Sequence, residues 1–217
     1  MPTLSRRRRR YPAVAVKGII FSEDALADTR ELWRDGVAHL ARRLGRVVPL
    51  DAAEVPDDRA EAIEYLERWA GQDAANWRAE LARFYEDHIP VYLRPDPELN
   101  AALRQITGHG LRTAAWSPGP PEASLVVSHF LGVARHLDTQ AVAPGPGGWR
   151  EAAIELDLDP PDLLVVAATA SALEDARAAG TRTAGALWTG MAPDALLPAH
   201  PDVLAGRTGE LLALALA

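Results

Sequence analysis

Leu163–Leu187, LLVVAATASALEDARAAGTRTAGAL, carries two apolar runs with a helical period between them. Leu163 to Ala168 is a short, continuous apolar run, the pattern of a strand buried on both faces of a parallel sheet. Ser171 to Ala179 follows with helical spacing and stops at Gly180, a residue suited to the position just past a helix end. Thr183 to Leu187 then turns apolar again. Strand, helix and strand in succession predict parallel pairing, with helices packed on the sheet.

Upstream, Ala13 to Phe21 (AVAVKGIIF) is a second β-branched apolar run and is predicted to be the central strand. From Asp28 to about His88 the period changes: Leu32, Trp33, Val37, Leu40 and Leu44, then Ile63, Leu66, Trp69, Trp77, Leu81 and Phe84 recur three and four apart. This reads as an all-helical insertion, with an acidic loop at Asp51 to Asp58 broken by Pro56. After Pro95 the alternation resumes. A helix is expected over Pro97 to Gly108, a strand over Leu111 to Trp116, a helix over Glu122 to Leu131 and a strand over Thr139 to Val142. Helix Trp149 to Leu156 precedes the opening stretch; a short strand near Val203 and a helix over Gly209 to Ala217 follow it. The expected architecture is α/β: a Rossmann-like parallel sheet with helices on both faces, formed by 13–27 and 95–217, and a helical cap at 28–94. Ligands on such sheets sit beyond the carboxyl ends of the strands.

Composition limits the function classes. The 217 residues are 48% hydrophobic, enough for one α/β core and a modest insertion. A formal charge of −7 gives the body no electrostatic reason to hold nucleic acid or an anionic membrane. Arg6 to Arg10 are the exception. Consecutive arginines repel one another, so 1–12 reads as a solvated, disordered tail, with a weak, salt-sensitive tether to acidic lipid or nucleic acid as the sharper reading. There is no cysteine, which removes disulfides, thiol nucleophiles and thiolate metal sites. No apolar stretch approaches the roughly 20 residues of a spanning helix, and a cytoplasmic location is expected. The six histidines show no zinc-ligand spacing. Trp33, Trp69 and Trp77 read as core of the insertion, and the loops SPGPPEAS and APGPGG as turns that offer few backbone donors because proline has none.

Four segments together resemble the haloacid dehalogenase superfamily, in particular its phosphoglycolate-phosphatase-like members with a helical cap. VKGIIFSEDALADT is similar to the strand and loop that reads FDxDGTLxD in active members, and LRTAAWSPGP to the strand ending in a phosphate-binding hydroxyl. LLVVAATASALEDARAAGTRTAGAL is similar to VGDSxxDxxxARAAGxxT, and HPDVLAGRTGELLALAL to the terminal strand and helix. The resemblance covers nearly the whole chain after the arginine tail. It implies phosphoryl transfer through an aspartyl phosphate: the first Asp attacks phosphorus and binds Mg²⁺, the second is general acid and base, and further carboxylates and a lysine complete the charge balance.

Against that pattern the losses are systematic. Ser22 stands at the nucleophile position, Ala168 and Ala172 at the metal-site acids, and about Ala143 where the lysine belongs. Asp24 keeps the acid–base position and Ser117 the phosphate-binding hydroxyl. Trp116 and Thr169 lie at strand ends beside the inherited pocket. A serine nucleophile needs a base, and no histidine is near Ser22 in sequence. Glu23, read as a strand residue, is expected to point away from the metal position, and Glu174 and Asp175 to be solvated helix charges.

Two readings follow. One is a non-catalytic member that binds an anionic or phosphorylated small molecule, or a protein partner, with no cofactor and no metal. The other is an active phosphomonoesterase-type hydrolase that uses Asp24 with a non-standard nucleophile or metal site and requires Mg²⁺. In either case the cap hinges are expected near Ala27 to Asp28 and Tyr92 to Asp96.

Overall fold

The upstream apolar run folds as β1, Gly18–Ser22, all of it buried. Ile19 and Phe21 join one hydrophobic cluster and Ile20 the other, so both faces of the strand are covered and the run is continuous rather than alternating. The computed structural model describes residues 15–44, 50–56, 59–71 and 74–217, and the arginine run and the expected tail 1–12 lie outside them. β1 begins at Gly18 rather than at Ala13; ahead of it, Val16 N–H donates to Ala215 O at 3.0 Å and Lys17 N–H to Asp162 O at 2.7 Å.

At the other end of β1 the chain turns into a short helix, α1 (Glu23–Leu26). Glu23 is therefore a helix residue, which corrects the strand reading of its side chain. Glu23 and Asp24 in that first turn complement the positive end of the helix. Helices α2 (Arg30–Leu44), α3 (Arg59–Ala70) and α4 (Ala74–Tyr92) follow before the next strand. Leu32, Trp33, Val37 and Leu40 of α2 are buried, as the period predicts, and α4 packs on α2.

Next come α5 (Pro97–Gly108), β2 (Arg112–Ser117), α6 (Pro121–Phe130), β3 (Thr139–Val142) and α7 (Trp149–Leu156). The opening stretch supplies β4 (Leu163–Ala167), α8 (Ala170–Ala178) and β5 (Arg182–Ala186), and α9 (Pro193–Leu196), β6 (Val203–Ala205) and α10 (Leu211–Leu216) close the chain. Gly180 has φ +89°, a left-handed position after α8 that glycine adopts without a steric penalty.

All pairings are parallel and the strand order is β3-β2-β1-β4-β5-β6. The winding reverses between β1 and β4. Loops leaving these two neighbours diverge, and the crevice at their carboxyl ends is where a doubly wound sheet holds a ligand. Among the described residues no helix is long and apolar enough to cross a membrane.

Candidate functional site

The carboxyl ends of β1 and β4 open into a cavity of about 640 Å³, roofed by the helical segment between β1 and β2. From the sheet come Ser22, Glu23, Asp24, Ala168 and Thr169; from the helical side come Trp33, Val37, Val55, Pro56 and Arg59. Most of this surface is apolar.

Ser22, Asp24 and Thr169, separated in sequence, meet at the cavity because β1 and β4 are neighbours. Ser22 Oγ–H donates to Asp24 Oδ1. Burial pushes the Asp24 carboxyl above its ordinary value; the Ser22 hydrogen bond opposes this, the nearby Glu23 charge adds to it, and the Ala168 backbone and Arg59 oppose it. Thr169 is exposed at the start of α8, and its hydroxyl makes no capping bond there.

Trp116 and Ser117 do not line the cavity. The Ser117 hydroxyl faces inward, accepting from Gly119 N–H at 3.1 Å and from Ser124 Oγ–H at 2.7 Å. The following loop, with its Gly119–Pro120 cis peptide, is wrapped around that oxygen. Trp116 is 4% exposed and packs in the second cluster, with its ring against Gly148. In this structure both side chains pack around β2 and neither lines the cavity.

Glu23 and Arg59 form the site's strongest electrostatic feature. Arg59 Nη1–H donates to Glu23 Oε1 at 2.6 Å and to Thr29 Oγ1 at 3.1 Å, and the two side chains are 15% and 4% exposed. The guanidinium lies 5.0 Å from the Trp33 ring centroid, a cation–π arrangement. Burial opposes the Arg59 charge, but Glu23, with Tyr85 and Asp24, more than offsets it and raises its pKa. Sequence reasoning missed this pair. A signal existed: a cation at the first residue of a helix opposes the helix dipole and needs another partner.

The fold implies Mg²⁺, and the donor set does not fit it. Ala168 and Ala172 offer no ligand side chain, and Glu23 is already tied to Arg59. Asp175 is held by Arg150 Nη2–H at 3.2 Å and by Trp149 Nε1–H at 2.9 Å, so it is a structural partner rather than a solvated charge. Asp24 is left as a lone carboxylate, and a hard divalent ion needs several oxygen ligands. Among the described residues no group of three or more His, Cys, Asp or Glu is placed to hold a metal ion. The histidines are used otherwise; His39 Nε2 pairs with Glu80 Oε1 at 2.9 Å and His88 stacks on Phe84.

Strand order, helical insertion and strand-end site together define a haloacid dehalogenase-like α/β fold. Solved structures match over nearly the full chain. CbbY from Rhodobacter sphaeroides, in complex with phosphate, aligns with TM-score 0.68 and 20% identity over 90% of this chain and 96% of that one. β-Phosphoglucomutase from Clostridium difficile aligns with TM-score 0.63 and 15% identity over 93% and 97%. A haloacid dehalogenase-like hydrolase from Streptococcus pneumoniae gives 0.65 and 16% over 92% and 98%. At these identities the likeness establishes the fold. No protein-family profile and no curated protein matches the chain.

Proposed function

We propose that this chain keeps the phosphatase fold as a non-catalytic binding or regulatory protein, a pseudoenzyme, and takes an anionic small molecule into the cavity between the sheet and a helical cap. The observation that carries the proposal is the donor set: serine where an aspartyl nucleophile would stand, alanine at both metal-site positions, Glu23 neutralised by Arg59, and Asp24 as the one acid kept from the motif. Phosphoryl transfer through an aspartyl phosphate needs a carboxylate nucleophile and a metal ion at the transferring group. The residues for neither are in place, whereas a cavity, a buried guanidinium and hydroxyl groups are. CbbY structures that share the fold hold phosphate and xylulose 1,5-bisphosphate, which supports an anionic ligand here.

One contact favours an enzymatic reading: Ser22 donates to Asp24, so the serine does have a carboxylate beside it. The pKa that burial raises strengthens Asp24 as a base, but a phosphoserine formed on Ser22 would be far less labile than an acyl phosphate. Phosphate release from a panel of phosphorylated metabolites, with Mg²⁺ and with EDTA, separates the two readings. The expected result is no turnover above that of Asp24→Asn; turnover that needs both Mg²⁺ and Asp24 overturns the proposal.

A further inference from the structure

The hydrogen bonds of Arg59 are incomplete in an ordered way. Nη1 serves Glu23 and Thr29, while Nε and Nη2 are buried and have no partner among the described residues. Those two N–H groups form the side-on edge of the guanidinium, a planar fork whose spacing matches two oxygens of one oxyanion. The Tyr85 hydroxyl, also buried, is unpartnered among the described residues and close enough to Arg59 to couple with it electrostatically. Two adjacent N–H groups of Arg59 thus stand open at the cavity wall, with the Tyr85 hydroxyl in their electrostatic neighbourhood. Buried donors of a charged group that stay unpaired cost free energy, so an arrangement that leaves one whole edge open favours a bound acceptor.

We infer that Arg59 is the anion anchor of the cavity, held in place by Glu23, and that its Nε/Nη2 edge receives a singly charged oxyanion with an apolar body, without a metal ion. The inference rests on the reading of the cavity as an anion-binding pocket and deepens it. A single charge follows from the neighbours. Glu23 already balances Arg59, and among the described residues the other cations on the cavity wall, Arg30 and Arg34, are mostly exposed, with Arg30 paired to Asp28 and Arg34 to Glu31. Every charge the ligand brings is therefore added to a balanced pair in a low-dielectric site, and a monoanion adds one where a dianion adds two. An apolar body follows from Trp33, Val37, Val55, Pro56 and Met191 on the wall. The Trp33 ring lies against the guanidinium, so an anion bound at its edge changes the surroundings of that ring.

The test is calorimetric titration in EDTA with benzoate, octanoate and inorganic phosphate. It compares the full-length wild type, Arg59→Lys, and the charge-balanced double variant Glu23→Gln/Arg59→Met. Lysine keeps the ion pair but lacks the side-on fork. The expected result is that at least one carboxylate binds the wild type more tightly than phosphate does and perturbs tryptophan fluorescence, and that its affinity falls at least tenfold in both variants. A thermal unfolding midpoint of the double variant near that of wild type shows that its loss is not one of folding. Equal carboxylate affinity in the wild type and the double variant overturns the Arg59 assignment and leaves the anion pocket standing. Binding that appears only with Mg²⁺, or phosphate bound more tightly than both carboxylates, also overturns the inference. No binding of any of the three probes to the wild type overturns the inference and the pocket reading together.

Discussion

At Asp24 burial and the neighbouring Glu23 charge pull one way and the Ser22 hydrogen bond the other. Its carboxyl titrates above the ordinary value because the pocket floor desolvates it, with Glu23 adding repulsion. Ionising it therefore costs more in the native state than in the unfolded chain. A carboxyl whose folded pKa is raised contributes its stability fully below the unfolded pKa and loses it as pH rises through the folded pKa. Asp24→Asn is thus expected to be more stable than wild type at pH 7.5, by about 1.4 kcal/mol for each unit by which burial has raised the pKa, and to show no advantage below the ordinary carboxyl range. Urea denaturation of both proteins at pH 3.5 and 7.5 checks this; a difference that does not grow with pH would show that Asp24 is not destabilised by ionisation. The same scale separates the metal question from the fold. Phe21 pairs with Val166, so Ser22 and Ala168 leave adjacent strands on either side of the same crevice. S22D/A168D should gain Mg²⁺ binding, seen as an upward shift of the unfolding midpoint with added Mg²⁺ that wild type does not show. No shift would mean that more than these two carboxylates has been lost. Ser22, Asp24 and Thr169 were legible in the sequence because strand-end positions follow from strand boundaries. The Glu23–Arg59 pair was not, since its partners lie 36 residues apart and meet only once the helical segment is folded beside α1.

At the scale of elements, α5 and α7 have the bounds that their periodicity predicts, because each has a clear apolar face, and the weaker strand β3 has its predicted bounds through the turns that flank it. α1 was illegible. Four residues carry no period, and the helix is set by the turn that β1 must make at the crevice. The end of β2 shows the same limit, because a strand boundary places Ser117 and Trp116 near the crevice without showing that their side chains pack inward. The closeness of that packing is testable at Gly148, which begins α7 with φ −57°, a conformation any residue adopts. A Cβ there would stand 2.6 Å from the Ala143 carbonyl and against the Trp116 ring, and a carbonyl of the backbone gives way only by moving the β3–α7 loop. Gly148→Ala should therefore cost about 1–3 kcal/mol, as overpacking of a core does. The loss is expected in denaturant unfolding and in the Trp116 environment seen by near-ultraviolet circular dichroism. A neutral substitution would show that the loop carrying Gly145 and Pro146 into the cavity wall yields easily.

For the whole molecule, the question is whether the helical segment between β1 and β2 is a separate body or part of one core. The first hydrophobic cluster answers in structural terms: Leu32, Trp77, Leu81 and Tyr85 of the insertion share it with Ile19, Phe21, Val127 and Val166 of the sheet layer. Helix α4 packs against α6 as well as against α2, and Arg59 joins α3 to α1 by a buried ion pair. The sequence shows where the helical period begins and ends, but an apolar face looks the same whether it covers its own helices or a neighbouring sheet. That is why the sequence places hinges near Ala27 to Asp28 and Tyr92 to Asp96 without showing how far the insertion shares the core of the sheet. A shared core predicts a different thermodynamic behaviour. Separate bodies would melt in two steps, the insertion first, because a small helical unit buries too little surface to stand alone. Elements that share buried side chains lose them together, so calorimetry should show one transition with equal calorimetric and van't Hoff enthalpies. Glu23→Gln/Arg59→Met should lower or raise that single midpoint without splitting it, because removing both charges leaves the apolar contacts of α4 intact. If instead the transition divides, with the tryptophans of α2 and α4 reporting the earlier step, the ion pair rather than the shared core is what couples the insertion to the sheet.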